Sequence, residues 1–266
     1  MEDAIARFKD AARAGWESFT PTEMATGSVA PKLVRFAGIT PGMRVLDVGC
    51  GTGVVALTAA RAGAHVTGSD LTPKLIERAH ENSRIMGVDI AWDVADAEAL
   101  PYRDAEFDVV VSQFGHMFAP RPDVCVREML RVLKPGGTVA FSTWPPELRV
   151  GKMFALIGRY APPPPAGASP PHQWGDPTIV RQRLGEAVTD LFFDRDVMYF
   201  QILSPQHQRL FLEANVGPVG KLVENLGRTD PVRLAAFRAD LEQLMALYFD
   251  DNRIKQDFLL TRARKR

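Results

Sequence analysis

The sequence predicts an α/β protein with a parallel, doubly wound sheet, and three observations indicate this fold class. Short apolar segments alternate with helical segments over about a hundred residues that begin at Arg44. Most of the apolar segments lack a regular polar alternation, as is typical of strands covered on both faces. A glycine-rich turn, "GCGTG", follows the first segment, as in nucleotide-binding βαβ units.

Five apolar segments account for the parallel strands, and helix signals lie between them. The strands are predicted at residues 44–48, 65–69, 90–94, 107–112 and 138–143. Thr72 and Pro73 are typical of an N-cap followed by a proline at the first helical position, and Gly87 is suited to end that helix. A further helix is predicted to stop at the sequence Lys-Pro-Gly-Gly, which ends at Gly137.

The pattern changes after Trp144. Residues 161–177 contain seven prolines, too many for a helix or a central strand, so an extended surface segment is expected there. Two further strands are predicted at residues 190–203, with a bulge at the charged centre, and at residues 252–264.

Two helices are predicted between these last strands. The pairs Ser204-Pro205 and Asp230-Pro231 each combine an N-cap residue with a proline at the first helical position. The first helix is expected to run to about residue 226 and the second to about residue 248.

Composition excludes several classes of function. The 266 residues have a formal net charge of zero, so the basic surface expected of a nucleic-acid binder or of a protein that binds anionic membranes is missing. The charged N-terminal segment does not have the apolar core of a signal peptide, and no stretch is long enough to span a membrane. Two cysteines, Cys50 and Cys125, have neither a disulfide framework nor the spacing of a metal site. A cytoplasmic protein without a bound metal is expected.

The glycine-rich turn carries three features of a ligand site. Asp47 ends the preceding strand, two residues before the first glycine, and directs a carboxylate toward the ligand. Gly49, Gly51 and Gly53 let the backbone pass close to a ligand and leave the N–H groups of the next helix accessible. Asp70 ends the following strand, where an acid accepts the hydroxyls of an adenosine ribose.

The position of Asp47 separates two kinds of nucleotide. A dinucleotide places its pyrophosphate at the helix N-terminus, where the Asp47 carboxylate would repel it. An adenosyl ligand with an ammonium group and no phosphate would be attracted by the same carboxylate, and S-adenosylmethionine is such a ligand. The spacing G-x-G-x-G also departs from the dinucleotide fingerprint G-x-G-x-x-G.

Residues 30–145 resemble the class I S-adenosylmethionine-dependent methyltransferases. The resemblance rests on five motifs in order: "VLDVGCGTG" (45–53), "GSDLTP" (68–73), "VADAEALPY" (94–102), "FDVVVSQFGHMF" (107–118) and "EMLRVLKPGG" (128–137). It is strongest to the branch with the ubiquinone/menaquinone C-methyltransferases and many small-molecule methyltransferases. It implies a Rossmann-like, doubly wound sheet of seven strands, a terminal antiparallel hairpin and a helical cap.

The resemblance also implies a division of this single domain. Its parts are an N-terminal helical lid (1–40), the cofactor-binding core (41–144), cap and substrate insertions (145–187 and 204–250) and the hairpin strands (188–203 and 251–266). Trp16 and Phe19 would belong to the lid.

Roles for the motif residues follow from the same resemblance. Asp47 with the backbone of Gly49, Cys50 and Gly51 would hold the methionine moiety, and Gly53 would allow close helix packing. The remaining cofactor-binding residues would be Asp70 at the ribose, Leu71 and Ala97 with Asp96 at the adenine, and Gln113 with Phe114 beside the methyl group. Cys50 is expected to act only as a small residue.

Methyl transfer needs little from the protein beyond alignment and exclusion of water, and a base only where the acceptor must lose a proton. His116 is the candidate base or substrate-orienting group, because it follows the fourth strand at the edge of the sheet where ligands bind. Trp174 and Tyr160 are candidates for the acceptor pocket, together with Phe211. An apolar stripe that includes Leu234 and Phe237 is expected to pack in the core.

These observations predict methyl transfer from S-adenosylmethionine to a small, apolar or aromatic acceptor. The sequence leaves open the acceptor, the atom that is methylated and the oligomeric state, a homodimer included. Two alternatives remain at this point: an NAD(P)-dependent oxidoreductase, which shares the βαβ unit, and a non-catalytic protein that binds S-adenosylmethionine.

Overall fold

The computed structural model describes residues 2–266, with side chains from Ala4 onward. The strands are β1 (Arg44–Val48), β2 (His65–Asp70), β3 (Ala91–Val94), β4 (Phe107–Gln113), β5 (Leu133–Thr143), β6 (Val188–Gln201), β7 (Phe249–Asp250) and β8 (Arg253–Lys265). The helices are α1 (Glu2–Trp16), α2 (Glu23–Thr26), α3 (Ala30–Phe36), α4 (Val54–Arg61), α5 (Pro73–Met86), α6 (Pro122–Val132), α7 (Arg149–Tyr160), α8 (Pro177–Leu184), α9 (Pro205–Asn215), α10 (Gly217–Thr229) and α11 (Pro231–Ala246).

One mixed sheet organises these elements, in the order β3-β2-β1-β4-β5-β8-β6. The first five strands pair in parallel, and β8 pairs antiparallel with both β5 and β6. The predicted parallel sheet with a terminal antiparallel hairpin is confirmed. The two-residue strand β7, which pairs with β8, lies beyond the seven strands that were predicted.

The strand order places a switch point between β1 and β4. The connections through α4 and α5 move outward on one side of β1, and the connection through α6 moves outward on the other side. Because parallel crossovers are right-handed, this reversal puts the two sets of helices on opposite faces of the sheet. A crevice therefore opens at the carboxyl ends of β1 and β4, where ligands bind in sheets of this kind.

Two strands deviate from the expected pattern. The Lys-Pro-Gly-Gly sequence was predicted to lie between α6 and the strand, but β5 begins already at Leu133. Its register against β4 shifts between Phe107 and Val109, so the extra residues form a bulge. In β6 the register shifts between Thr189 and Phe192, and the charged centre, where the bulge was predicted, pairs regularly.

Four helices form a cap at the end of the sheet where the crevice opens. These helices, α7, α9, α10 and α11, pack against one another, and α10 also packs against α1. The N-caps predicted at Ser204 and Asp230 are confirmed: the Ser204 hydroxyl accepts the His207 N–H at 3.2 Å, and the Asp230 carboxylate accepts the Arg233 N–H at 2.9 Å. Thr72 lies at the N-cap position of α5 as predicted, but its side chain makes no capping hydrogen bond. By contrast, α3 packs on α4 and the sheet, and α8 packs on α6 and β6.

The helix predicted to run from Pro205 to residue 226 is broken into α9 and α10. Val216 is extended, with φ −116° and ψ 100°. Pro218 accounts for the break, because it has no N–H group to continue the hydrogen bonds of α9 and its ring clashes with the preceding turn. Gly217 allows α10 to approach α1, since a Cβ there would lie 2.1 Å from the Gly15 carbonyl oxygen.

Between residues 161 and 170 the proline-rich segment has no helix or strand, and it contains a turn at Ala166 and Gly167. The prediction of an extended surface segment up to residue 177 is wrong at its end, where a short 3₁₀ helix, Pro171–Gly175, buries Trp174. Among residues 2–266, no helix combines the length and the apolar character that crossing a membrane requires.

The core of the sheet supplies the first testable prediction. Phe107 is the first residue of β4, at the amino end of the parallel strands and opposite the crevice, and it is fully buried. Phe107→Ala removes the whole ring and leaves a cavity, so it should lower the free energy of unfolding by about 3–5 kcal/mol. Urea denaturation measures this loss.

Phe192→Ala is the matched control, because the Phe192 side chain on β6 is 50% exposed. We expect it to cost about 1 kcal/mol or less. Equal losses for the two variants would contradict the placement of Phe107 in the core.

Candidate cofactor and acceptor site

A cavity occupies the crevice at the carboxyl ends of β1 and β4. Its walls come from α1 and the segment after it, the glycine-rich turn, the ends of β2 and β4, and the cap. Ten of the eleven predicted cofactor-binding residues line this cavity: Asp47, Gly49, Cys50, Gly51, Asp70, Leu71, Asp96, Ala97, Gln113 and Phe114. The structure therefore brings together the polar residues that the motifs place far apart in the chain.

Gly53 is the exception, because it lies behind the cavity wall. It has a φ of 88° at the N-cap of α4, and a Cβ there would lie 2.5 Å from the Trp92 ring. The absence of a side chain at Gly53 thus allows close packing of α4 on β3, which is the role that the sequence indicated for it.

Asp47 lies at the end of β1 and is almost fully buried. One carboxylate oxygen, Oδ2, accepts the N–H of Ala56 at 3.0 Å, in the first turn of α4. The other oxygen, Oδ1, is buried without a partner among the described residues. Burial raises the pKa of the Asp47 carboxyl to about 7, against the hydrogen bond from Ala56, and the nearby charge of Asp70 adds to the rise.

This geometry bears on the kind of nucleotide that the turn accepts. The N–H groups at the start of α4 are the donors that a pyrophosphate would use. The Asp47 carboxylate already takes one of them and supplies the negative charge that the helix dipole favours. A phosphate at this position would meet a carboxylate, whereas an ammonium group would find the free Oδ1.

Asp70 shapes the turn from the end of β2. Its Oδ2 accepts the Gly51 N–H and its Oδ1 accepts the Thr72 N–H, both at 2.9 Å. Burial raises the pKa of the Asp70 carboxyl, and these two backbone hydrogen bonds oppose the rise. Each oxygen keeps a further lone pair that can accept a ligand hydroxyl.

The next acidic residue, Asp96, is held from two sides. Its Oδ1 accepts the Glu98 N–H at 2.9 Å, and its Oδ2 pairs with the Lys9 ammonium at 2.6 Å. Lys9 also pairs with Glu98 at 2.5 Å, so one residue of α1 bridges two carboxylates beside the cavity, and Glu98 has a second cation partner in Arg121 at 2.7 Å.

Gln113 and Phe114 end β4. The Gln113 amide nitrogen donates to the Thr26 carbonyl at 2.9 Å, while its oxygen is buried without a partner among the described residues. Phe114 adopts a left-handed φ of 58°, which is costly for a non-glycine residue. Its ring is stacked on Trp144, with centroids 3.7 Å apart, and this contact stabilises the strained backbone.

Comparison with known proteins identifies the family. Residues 46–141 match the model of a methyltransferase domain. Two uncharacterized proteins of Mycobacterium tuberculosis are similar over most of their length. One is 36% identical over 247 residues, which are 92% of this chain and 89% of the relative. The other is 37% identical over 240 residues, which are 89% of this chain and 86% of the relative. The chain belongs to the class I S-adenosylmethionine-dependent methyltransferases.

Solved structures share the fold of this methyltransferase. YcgJ of Bacillus subtilis is 19% identical with a TM-score of 0.61, and the likeness covers 90% of this chain and 98% of that one. A Haemonchus contortus phosphoethanolamine N-methyltransferase, solved with S-adenosylhomocysteine, is 18% identical with a TM-score of 0.54, over 90% of this chain and 52% of that one. At such low identity these likenesses concern the fold alone.

The cofactor of the methyltransferase is S-adenosylmethionine, and the residues present fit it. The unpartnered Oδ1 of Asp47 offers a buried acceptor to the ammonium group. Cys50 is buried, and burial raises the pKa of its thiol, so it remains an uncharged small residue. Among the described residues, no group of three or more His, Cys, Asp or Glu side chains could hold a metal ion.

The structure places the His116 ring outside the cavity of the methyltransferase. The ring is almost fully buried, with its centroid 4.5 Å from that of Phe141 and 4.6 Å from that of Trp174. Neither ring nitrogen has a hydrogen-bond partner in the described part of the chain. Burial, with a contribution from the Arg183 charge, lowers the pKa of His116 to about 3. A neutral, enclosed imidazole cannot reach an acceptor, so we assign no proton transfer to it.

The two other aromatic candidates also lie away from the cavity. Trp174 is buried beneath Arg183, whose guanidinium carbon is 4.5 Å from the ring centroid. Tyr160 donates its hydroxyl to Asp240 at 2.9 Å. The stripe that contains Phe237 packs inside the cap and does not reach the cavity.

The sequence predicted only some of the apolar residues that line the cavity. Trp16 and Phe19, predicted in the lid, line the cavity, as does Phe211. Further apolar lining residues come from the segments that follow β4 and β5, from α7 and from β6: Phe118, Trp144, Val150, Met153, Phe154, Met198 and Phe200. Phe118 ends a motif that was quoted for the cofactor, but the others lie in segments without a motif.

Three polar residues in this wall were also missed, namely Arg149, Gln208 and Gln256. All three are buried. An arginine near the start of a helix gives no sequence signal of burial, so only the packing of the cap reveals it.

The raised pKa of Asp47 makes a prediction about stability and pH. The folded protein retains a proton at Asp47 up to about pH 7, while the unfolded chain loses it near the ordinary value of 3.8. The native state therefore binds more protons, and stability falls as pH rises through this window. Asp47→Asn removes the effect, so its Tm relative to wild type should rise by roughly 5 °C between pH 4 and pH 8. Thermal melts across this pH range measure the difference.

Asp108→Asn is the control, because its effect should not change with pH in this range. The hydrogen bond with Lys134 lowers the pKa of the Asp108 carboxyl. The ionised form therefore adds stability that is fully present above about pH 4 and is lost only at lower pH, so the variant should melt below wild type by a nearly constant amount between pH 4 and pH 8. A constant Tm difference between Asp47→Asn and wild type across this pH range would contradict the assignment.

Proposed function

We propose that the methyltransferase transfers a methyl group from S-adenosylmethionine to a small, predominantly apolar or aromatic acceptor held between the glycine-rich turn and the cap. One observation carries this proposal: a single cavity has acidic residues and the glycine-rich turn at one end and an aromatic and aliphatic wall at the other. An acceptor bound against that wall is kept from water beside the cofactor.

The proposed cofactor pose assigns each polar group a partner. Asp47 Oδ1 accepts from the ammonium group, and the backbone of Gly49, Cys50 and Gly51 lies along the methionine moiety. The remaining contacts in this pose are Asp70 with the ribose hydroxyls, Leu71 and Ala97 with Asp96 at the adenine, and Gln113 with Phe114 beside the methyl group. The free oxygen of Gln113 supports this pose, since it is buried at the boundary between the two ends of the cavity.

The chain's own residues contribute binding and alignment to the reaction. The cofactor supplies an activated methyl group on a positively charged sulfur. Trp16, Phe118 and Phe154 exclude water from the acceptor, and the stacked pair Phe114–Trp144 forms a rigid side of the cavity. Holding the acceptor atom in line with the methyl group is the main source of rate in such a site.

The lining residues also indicate how the acceptor loses its proton. The titratable side chains that line the cavity are Lys9, Cys50, Arg149 and three acids, Asp47, Asp70 and Asp96. The Cys50 thiol keeps its proton, because burial raises its pKa. In the proposed pose, all three acids contact the cofactor. The acceptor therefore reacts as a group that is already ionised or that releases its proton to solvent after transfer.

The class of acceptor is part of this proposal, and two relatives with named functions bear on it. A ubiquinone biosynthesis O-methyltransferase of Methylococcus capsulatus is 38% identical, but over only 44% of this chain and 49% of its own length. A methyltransferase of Streptomyces halstedii is 36% identical over 47% of this chain. Because these likenesses span less than half of the chain, quinones and other aromatic compounds are acceptors to be tested and not inferred.

Methyl transfer is tested with S-adenosylmethionine labelled in its methyl group. The purified protein is incubated with a panel of quinones, phenols and aromatic acids, and label is followed into the products. We expect transfer to at least one apolar or aromatic member. Stable binding of S-adenosylhomocysteine without transfer to any such compound would contradict the acceptor class.

The cofactor pose predicts the effect of one substitution. Asp70→Ala removes two hydrogen bonds that shape the turn. It also removes the carboxylate that accepts the ribose hydroxyls in the proposed pose. Charge-assisted hydrogen bonds contribute about 1.5–3 kcal/mol each, so affinity for S-adenosylhomocysteine should fall by at least about tenfold. Isothermal titration calorimetry measures the change. Asp89→Ala, at an exposed position before β3, is the matched control and should bind like wild type.

A further inference from the structure

Arg149 is a buried cation in the wall of the acceptor cavity. It is the first residue of α7, lines the cavity and is only 2% exposed. Its Nη1 donates to the Met245 sulfur at 3.1 Å, which is a weak acceptor. Its Nε is buried without a partner, and no ion pair joins Arg149 to a carboxylate within the described part of the chain. A buried charge in this condition is costly for the folded protein.

The half-buried arginines of the cap differ from Arg149, because they pair with carboxylates. Arg209 pairs with Glu213 at 2.7 Å and with Glu242 at 2.5 Å. Arg238 pairs with Glu213 at 2.7 Å. Arginines that hold the cap helices together thus have carboxylate partners, and Arg149 lacks one in the same set of helices.

Two carboxamides share the cavity with Arg149. Gln208 on α9 is almost fully buried, and its Oε1 has no partner among the described residues. Gln256 on β8 is also buried and lies opposite Met198 in the sheet. Three elements distant in sequence therefore each place a buried polar side chain in an otherwise apolar wall. Such convergence is typical of a site that recognises one polar group on an apolar ligand.

The charges of the lining residues define the sign of that polar group. The acids that line the cavity are Asp47, Asp70 and Asp96, all in the predicted cofactor-binding motifs. At the cap side Arg149 is the charged lining residue, so a negative group on the acceptor would find a cation there. The Arg149 guanidinium remains positively charged at neutral pH, although burial lowers its pKa to about 9.

We propose that Arg149 binds a carboxylate on the methyl acceptor, with Gln208 and Gln256 completing the polar contacts. This inference rests on the proposed function and specifies its substrate class: an acidic compound with an apolar or aromatic body. A guanidinium matches a carboxylate through two parallel hydrogen bonds, which fix orientation as well as affinity. A neutral analogue would leave the charge of Arg149 without a partner, so the site selects against it.

A role in acceptor binding and a purely structural role for Arg149 predict opposite changes in Tm when this residue is replaced. If Arg149 serves the acceptor, replacing it by the apolar and flexible methionine removes an unpaired buried charge. Arg149→Met should then raise the Tm of the ligand-free protein by about 2 °C or more. If Arg149 holds the cap together through Met245, the same variant should melt below wild type, and this outcome would overturn the proposal.

Binding is measured by calorimetry on the protein saturated with S-adenosylhomocysteine. The probes are cinnamate and 2-naphthoate, each paired with its neutral amide, and 2-naphthol, which carries a hydroxyl in place of the carboxylate. We expect each acid to bind wild type at least about tenfold more tightly than its amide. The naphthol should bind like the amides if the carboxylate is the recognised group.

Three variants complete the experiment. Arg149→Met should abolish the preference for acids, and Arg149→Lys should retain part of it because the charge remains but the two parallel hydrogen bonds are lost. Arg159→Met is the matched control, since Arg159 lies on the same helix, is mostly exposed and pairs with Asp240. This control should preserve the preference. Unchanged S-adenosylhomocysteine affinity in all three variants shows that the cofactor end is intact.

Besides a lowered Tm of Arg149→Met, two binding results would overturn the proposal while leaving methyl transfer intact. One is equal binding of acids and amides to wild type, or no binding of either acid at millimolar concentration. The other is a preference for acids that survives in Arg149→Met. Failure of the proposed function would look different, because S-adenosylhomocysteine itself would then not bind, or no compound in the labelled panel would accept a methyl group.

Discussion

The hydrogen bond from the Ala56 N–H to Asp47 Oδ2 is the interaction on which the rest of the site depends. It joins the end of β1 to the first turn of α4 and thereby sets the path of the glycine-rich turn between them. It also places a carboxylate at a helix N-terminus, where the dipole stabilises negative charge. The remaining oxygen of Asp47 lies free in the cavity, and the Asp70 carboxylate holds the turn from the other side. This arrangement fits the proposed cofactor pose, in which the ammonium group binds the unpartnered oxygen.

Four buried polar atoms without partners among the described residues belong to side chains that line this cavity. They are Asp47 Oδ1, Gln113 Oε1, Arg149 Nε and Gln208 Oε1. Proteins satisfy most buried polar groups because each unpaired group costs free energy. Four such atoms around one cavity, together with the strained backbone of Phe114, indicate a surface shaped for ligands at the expense of stability.

Helix α1 connects the two halves of the site. Lys9 pairs with Asp96 and Glu98 beside the predicted adenine position. At the other side of the helix, the backbone of Gly15 contacts Gly217, and the Lys221 ammonium donates to the Ala11 carbonyl. The same helix therefore contacts the core and the cap, and Trp16 at its end lines the cavity between them. Closure of the cavity thus depends on a segment that is far in sequence from the core and cap residues that it contacts.

The sequence by itself determined the parallel sheet, the terminal hairpin, the helix caps at Ser204 and Asp230, and ten lining residues at the cofactor end. These features depend on local patterns, such as strand periodicity, N-cap chemistry and the glycine-rich turn, which are readable in a few consecutive residues. Only the tertiary structure decided the acceptor end. It buried His116 and Trp174 behind the wall and brought Arg149, Gln208 and Gln256 from α7, α9 and β8 to one cavity. Burial and the absence of a charged partner arise from packing between distant elements, and no pattern of neighbouring residues encodes them.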